Sequence, residues 1–155
     1  MPKEGLKEYL ESNNVRYEFI EHTPVYTAQE IAATVHIPGK QLAKTVMVKI
    51  DGEMAMAVLP APYRVNFEHL KEQTGAERVE LASEGEFKDR FPDCEPGAMP
   101  PFGNLYGMKV YADKNLAEEA GIAFCAGAHG ELIRISYKDF ESLVQPEVID
   151  FAWKP

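Results

Sequence analysis

The sequence is poor in the residues that announce common chemistries. It has two cysteines, Cys94 and Cys125, far apart and in no CxxC pair. A disulfide framework is therefore not expected, and in a reducing compartment both thiols should be free and partly buried. Its four histidines, His22, His36, His69 and His129, fall into no HExxH or paired spacing, so the sequence calls for no metal. It contains no G-x-S-x-G, no Walker loop and no G-x-G-x-x-G. Serine hydrolase, nucleotidase and dinucleotide-binding readings thus lack support, and no cofactor is implied. No run approaches the ~20 apolar residues of a membrane span. The opening Met1-Pro2-Lys3-Glu4-Gly5 lacks the apolar core of a secretory leader, so a cytoplasmic protein without membrane contact is the expectation. Positive charge is also scarce: 16 Lys and Arg stand against 25 Asp and Glu, a net −9. Broad binding to DNA or RNA needs many phosphate contacts and is not expected. A local basic mouth built from Lys40, Lys44, Lys49, Arg64, Lys71 and Lys109 is still open.

What is present is an ordinary globular pattern. The 155 residues, 45% of them hydrophobic, are most simply one domain over 1–155. Residues 3–13 read as an amphipathic helix and 15–22 as an alternating strand. Thr27 to Glu30 forms a capping box that opens a helix to about Val35. Two strands, 43–50 and 53–59, flank Asp51-Gly52, a tight hairpin signal. Asn66 caps a helix closed by Gly75, 78–81 is a short strand, and Ser83 caps another helix. Strands then follow at 109–112, 122–126 and 131–135, with a last helix over 137–144 behind Ser136. Helices and strands alternate irregularly, with at least two hairpins. The fold class expected is α/β of the α+β kind: a mixed, curled or barrel-like sheet with peripheral helices.

One stretch fits neither helix nor central strand. Gly97-Ala98-Met99-Pro100-Pro101-Phe102-Gly103, preceded by Pro96, is too rich in proline and glycine for either. It carries Met99 and Phe102, so it is not a plain solvated loop. Two readings stand: a rigid crossover packed under its own Phe, or a stiff loop whose backbone N–H groups meet a ligand. Lys44 opens an otherwise apolar strand and shares a face with Val46 and Val48. Its ammonium needs an anionic partner or solvent, so it is either a pocket charge or a lysine reaching water at the strand's end. His129, between glycines in a turn, is an acid–base or orienting candidate or an exposed turn residue. His22, at a strand end before Thr23-Pro24, is a further candidate. Asp93 and Glu95 read as solvated.

These pieces together resemble the YbaK/prolyl-tRNA synthetase-associated domain family. The resemblance rests on His22-Thr23-Pro24, Thr27 to Ala32, Ala43-Lys44-Thr45 with the strand closing at Asp51-Gly52, the Gly97–Gly103 loop, and Val110 to Asp113. It spans nearly the whole chain, and the order and spacing of the pieces make it specific. It implies an editing hydrolase, which cleaves the ester between a wrong amino acid and the terminal adenosine of a tRNA, often tRNA for proline. It further implies that Lys44 is the functional lysine and that Gly97, Ala98 and Pro101 belong to the catalytic Gly-x-x-x-Pro loop. Val46, Met99, Pro100, Phe102, Gly103, His129 and His22 would then line the substrate. The implied partners are the acceptor end of a mischarged tRNA and an aminoacyl-tRNA synthetase. A non-catalytic tRNA- or synthetase-binding module of the same fold and a hydrolase of some other ester are the rival expectations.

Overall fold

In the computed structural model, residues 3–21 and 37–155 are described. His22 and the helix expected over 27–35 lie outside them. Chain order is α1 (Lys3–Ser12), β1 (Glu18–Glu21), β2 (Ala43–Ile50), β3 (Glu53–Pro60), β4 (Arg64–Val65), α2 (Phe67–Thr74), β5 (Val79–Leu81) and α3 (Glu84–Phe87). Then come β6 (Lys109–Asp113), α4 (Lys114–Ala117), β7 (Gly121–Cys125), β8 (Glu131–Ser136), α5 (Tyr137–Val144), β9 (Glu147–Ile149) and β10 (Ala152–Trp153). Local signals set the boundaries. The β2–β3 turn places Asp51 and Gly52 at φ of 50° and 84°, the paired left-handed residues of a tight hairpin. Asn66 accepts from the His69 N–H at 3.1 Å, and Gly75 ends α2 at φ 71°.

The strands form three sheets among the described residues: β5-β2-β3-β6-β9, β1-β8-β7 and the ribbon β10-β4. The large sheet is mixed, antiparallel through β5, β2 and β3 and parallel from β3 to β6 and β9. The expected mixed sheet with helices outside is present, but the sheets do not close into a barrel. Residue parity divides the core. On one face Met47, Met56, Val58, Val110 and Ala112 pack against Phe124, Ile133 and Ile135 of the small sheet, with Leu6 and Leu10 of α1 and Phe140 of α5. On the other, Val48, Ala57, Leu59 and Tyr111 pack with Leu70 of α2 and Phe151.

Among the described residues Asp113 is the fully buried acid. Its Oδ1 accepts the N–H groups of Phe151 and Ala152 at 3.0 and 2.9 Å. Its Oδ2 accepts from the Asn115 backbone and side chain at 3.0 and 2.9 Å. A carboxylate with both oxygens saturated by N–H donors can be buried without an ion-pair partner. It caps α4 and fixes the segment that pairs as β10.

Candidate functional site

The proline loop is laced to the β7–β8 turn. Glu95 N–H donates to the Gly127 carbonyl at 2.8 Å, Gly127 N–H to the Ala98 carbonyl at 2.9 Å, and Ala98 N–H to the Glu95 carbonyl at 3.0 Å. The Glu95 carboxylate accepts the His129 N–H at 2.6 Å. The His129 Nε2 lies 2.9 Å from the Pro96 carbonyl. A carbonyl only accepts, so that bond puts the proton on Nε2. Loop and turn therefore form one hydrogen-bonded body, with the His129 ring against Gly97: a Cβ at Gly97 would stand 3.4 Å from His129 Cε1. Gly97 adopts φ 85°, a conformation open to glycine and strained for other residues.

The loop amides differ in their satisfaction. Ala98 N–H is engaged by a carbonyl, so it is not a free donor as expected. Gly97 N–H points at the Met99 thioether, 3.2 Å away. A thioether sulfur is a weak acceptor, so an incoming oxygen anion would be preferred there. Gly97 is exposed, whereas residues 98–103 are buried.

Burial corrects part of the expected pocket wall. Phe102 has no exposure. Its ring is enclosed by Phe124, Phe140 and Tyr9 at centroid distances of 5.3, 5.8 and 6.2 Å, so it anchors the loop from below. Gly103 is there for close approach, since a Cβ would lie 2.6 Å from Val110 Cγ2 and 2.7 Å from the Met108 carbonyl oxygen. Met99 is 3% exposed and joins the same cluster. Val46 packs on the opposite face of the large sheet, so it forms no common wall with Met99 and Phe102. Pro100 and Pro101 are buried within the loop.

Lys44 pairs with Leu59 in the β2–β3 register, on the α2 side of the sheet. Leu42, two residues before it, makes a parallel bridge to Ala123. That bridge sits next to the start of β2 and inside β7, whose end at Cys125 leads into the His129 turn. Arg134 of β8 steadies the same corner through an Nη2 bond of 3.2 Å to Gln41. Lys44 is half-buried. Burial first, and then the Arg64 guanidinium, push its ammonium below the usual lysine range. It has no ion-pair partner among the described residues. Of the suggested basic mouth, only Lys44 and Arg64 come together in this way; Lys49 is matched to Glu86 at 2.6 Å and Lys109 to Glu147 at 3.6 Å.

Cys125 is mostly enclosed, and burial pushes its thiol up to about 12, so it is no nucleophile at neutral pH. The described residues contain no cluster of His, Cys, Asp and Glu suited to a metal. A separate cleft of about 760 Å³ is lined by Arg16, Tyr17, Glu18, Arg134 and Asp139. Its charges are of both signs, and it includes none of the residues singled out by sequence. Two contributors were missed by sequence reasoning, Glu95 as a tie and Asp113 as a clamp, whereas Arg64 had stood in the suggested basic mouth. Glu95 reaches its partner across 34 positions, and nothing local marks such a bond.

The chain belongs to the aminoacyl-tRNA editing domain family, whose model matches residues 22–143. It is 31% identical over 142 residues to a proline–tRNA ligase of Staphylococcus epidermidis, covering 84% of this chain and 24% of the ligase. It is 32% identical over 111 residues to that of Staphylococcus saprophyticus, covering 72% and 19%. The chain thus spans about a quarter or less of the curated relatives it matches. Among solved structures, one described as a candidate trans-editing enzyme for prolyl tRNA synthetase superposes with TM-score 0.82 at 18% identity, covering 97% of this chain and 96% of that one. A hypothetical protein superposes with TM-score 0.85 at 21% identity, covering 96% and 99%. At these identities the likeness is one of fold.

Proposed function

We propose that this editing domain is a deacylase. In this reading it acts in trans and hydrolyses the ester of a mischarged tRNA, with tRNA for proline carrying a wrong small amino acid as the first substrate to test. The observation that carries the reading is Gly97, exposed at φ 85°, with its N–H directed at a thioether in a loop that backbone hydrogen bonds lace to the β7–β8 turn. Water adds to the ester carbonyl carbon, the carbonyl oxygen becomes an oxyanion, and the C–O bond to the terminal ribose breaks. The ribose oxygen leaves with a proton derived from the water, and the free vicinal hydroxyl of the adenosine relays it. A preorganised backbone donor at the oxyanion lowers the barrier by roughly 3–4 kcal/mol. No triad is required, in keeping with the inert Cys125. Lys44, half-buried and without an ion-pair partner among the described residues, supplies the charge for a phosphate at the acceptor end.

Selection by size alone gives only ~1–3 kcal/mol per methylene, so the rigidity of the loop matters to discrimination. The test is a panel of mischarged tRNAs, with wild type compared against Lys44→Ala and Gly97→Ala. Deacylation lost in Gly97→Ala while tRNA binding persists supports the mechanism. Failure of the wild type on every substrate, with tRNA still bound, would show a binding module instead. Equal hydrolysis of free amino-acid esters would point to a different hydrolase.

A further inference from the structure

The surface beside Lys44 carries a second feature. In the β4–β10 ribbon, Ala152 pairs with Val65 and Trp153 with Arg64. Val65 and Ala152 pack inward against the cluster of Leu70 and Phe151, so Trp153 and Arg64 share the outward face. Directly opposed residues of an antiparallel pair hold their Cβ atoms about 4.5–5.5 Å apart. Trp153 is 44% exposed; among the described residues the other exposed large apolar side chains, Leu81 and Val148, are aliphatic and lie on edge strands of the large sheet. We propose that Trp153 and Arg64 form a platform for the single-stranded 3′ end of the tRNA, the indole stacking on a base and the guanidinium holding a phosphate.

This inference rests on the editing reading and names the surface by which that site would take its substrate. The charges favour a nucleic-acid strand. Lys49, Arg78, Lys109 and Lys114 are each matched to a carboxylate. Lys44 and Arg64 have no ion-pair partner among the described residues and are close enough to repel, an arrangement that an anion relieves. In a chain of net charge −9, such a local pair is where phosphate would be drawn. Single-stranded nucleic acid is commonly held by an aromatic face next to cations. The platform is also rigid. The buried Asp113 carboxylate fixes the N–H groups of Phe151 and Ala152, and Phe151 O accepts from Asn66 N–H at 2.7 Å. The ribbon is thus held immediately before Trp153.

Trp153 is the sole tryptophan of the chain, so its emission reports directly on stacking. The probe is an acceptor-stem RNA hairpin with a single-stranded CCA end, compared with the same hairpin lacking that end. The overhang should quench Trp153 emission, and the blunt hairpin should not. Trp153→Ala should weaken binding of the overhang RNA about tenfold, with Trp153→Phe within about twofold of wild type. Arg64→Gln should lower the salt dependence of log K by about one unit of slope. Overhang RNA bound with unchanged emission, and Trp153→Ala binding like wild type, would overturn the platform while active deacylation leaves the editing reading standing. Absence of both RNA binding and deacylation would overturn the two together. Quenching by a synthetase but not by RNA would assign this face to a protein partner and refute the proposal.

Discussion

Gly97→Ala separates a backbone role from a packing role. At φ 85° an alanine is strained, and its Cβ would meet His129 Cε1 at 3.4 Å. That distance is tight but tolerable, because the imidazole is a side chain at the surface of its turn. The strain itself is about 1–2 kcal/mol. At about 2–4 °C per kcal/mol for a chain of this size, the melting temperature should fall by roughly 2–8 °C, with the fold retained. The catalytic effect is larger. Relaxing φ toward the alanine-allowed left-handed region turns the Gly97 N–H away from its present direction. Loss of one oxyanion donor lowers kcat by about 10²–10³. Single-turnover deacylation should therefore collapse while tRNA affinity stays within a few-fold. Gly103→Ala is the matched comparison. Its Cβ would meet Val110 Cγ2 at 2.6 Å and the Met108 carbonyl at 2.7 Å, so backbone must move and stability should fall further than in Gly97→Ala. Its loss of kcat per degree of lost melting temperature should be the smaller. A Gly97→Ala enzyme with kcat within threefold of wild type would refute the oxyanion argument.

Lys44→Met should raise the melting temperature while abolishing deacylation. Burial and Arg64 lower the Lys44 value in the folded chain, so between that value and the ordinary lysine range the unfolded chain binds more protons. Stability therefore rises with pH across that window, and below it the charge opposes folding; denaturant titrations of both forms at neutral and alkaline pH should show their gap narrowing as pH rises. Asp113→Ala strands buried N–H donors of Phe151, Ala152 and Asn115 at a cost of about 3–5 kcal/mol. Calorimetry should find Asp113→Asn, which keeps one acceptor oxygen, between the alanine variant and wild type. Cys125, its thiol pushed up to about 12, should resist alkylation at pH 8 in the folded protein and react on unfolding, as read by mass spectrometry.

What the sequence showed plainly was whatever is written within about ten residues. β2, β3, α2 and α5 lie within a residue or two of their expected limits, because alternation, an Asn or Ser cap and an Asp-Gly turn are local signals. β4, β9 and β10 were missed. They are 2 or 3 residues long, too short for a period to register. Their existence depends on partners far along the chain, β9 on β6 and β10 on β4. Asp113 entered the sequence reading only as the last residue of the Val110–Asp113 landmark. Its capping bond to Asn115 is local, but the clasp on 151–152 spans 38 and 39 positions. Lys44, Gly97 and His129 could be singled out because unusual residues stood in unusual contexts. That Glu95 joins the last two could not.

Face parity bears on where a substrate can sit. Lys44 and Val46 lie on the α2 side of the large sheet, and Met99 and Phe102 on the other. A ligand that touches both Lys44 and the proline loop therefore cannot lie flat on either face. It has to cross the head of β2, where the Leu42–Ala123 bridge brings that strand beside β7 and its turn. A long, thin, flexible ligand suits this course better than a compact one. The acceptor end of a tRNA has that shape, with its ester at the tip and phosphates behind. Binding should then depend on both ends of the path. A Lys44→Ala variant should lose affinity for tRNA and for the free overhang hairpin alike, while the phosphate-free aminoacyl adenosine ester should be hydrolysed about as slowly by wild type as by the variant. If Lys44→Ala slowed that small ester by the same factor as the full aminoacyl-tRNA, the lysine would be acting at the reacting carbonyl, and the crossing path would be wrong.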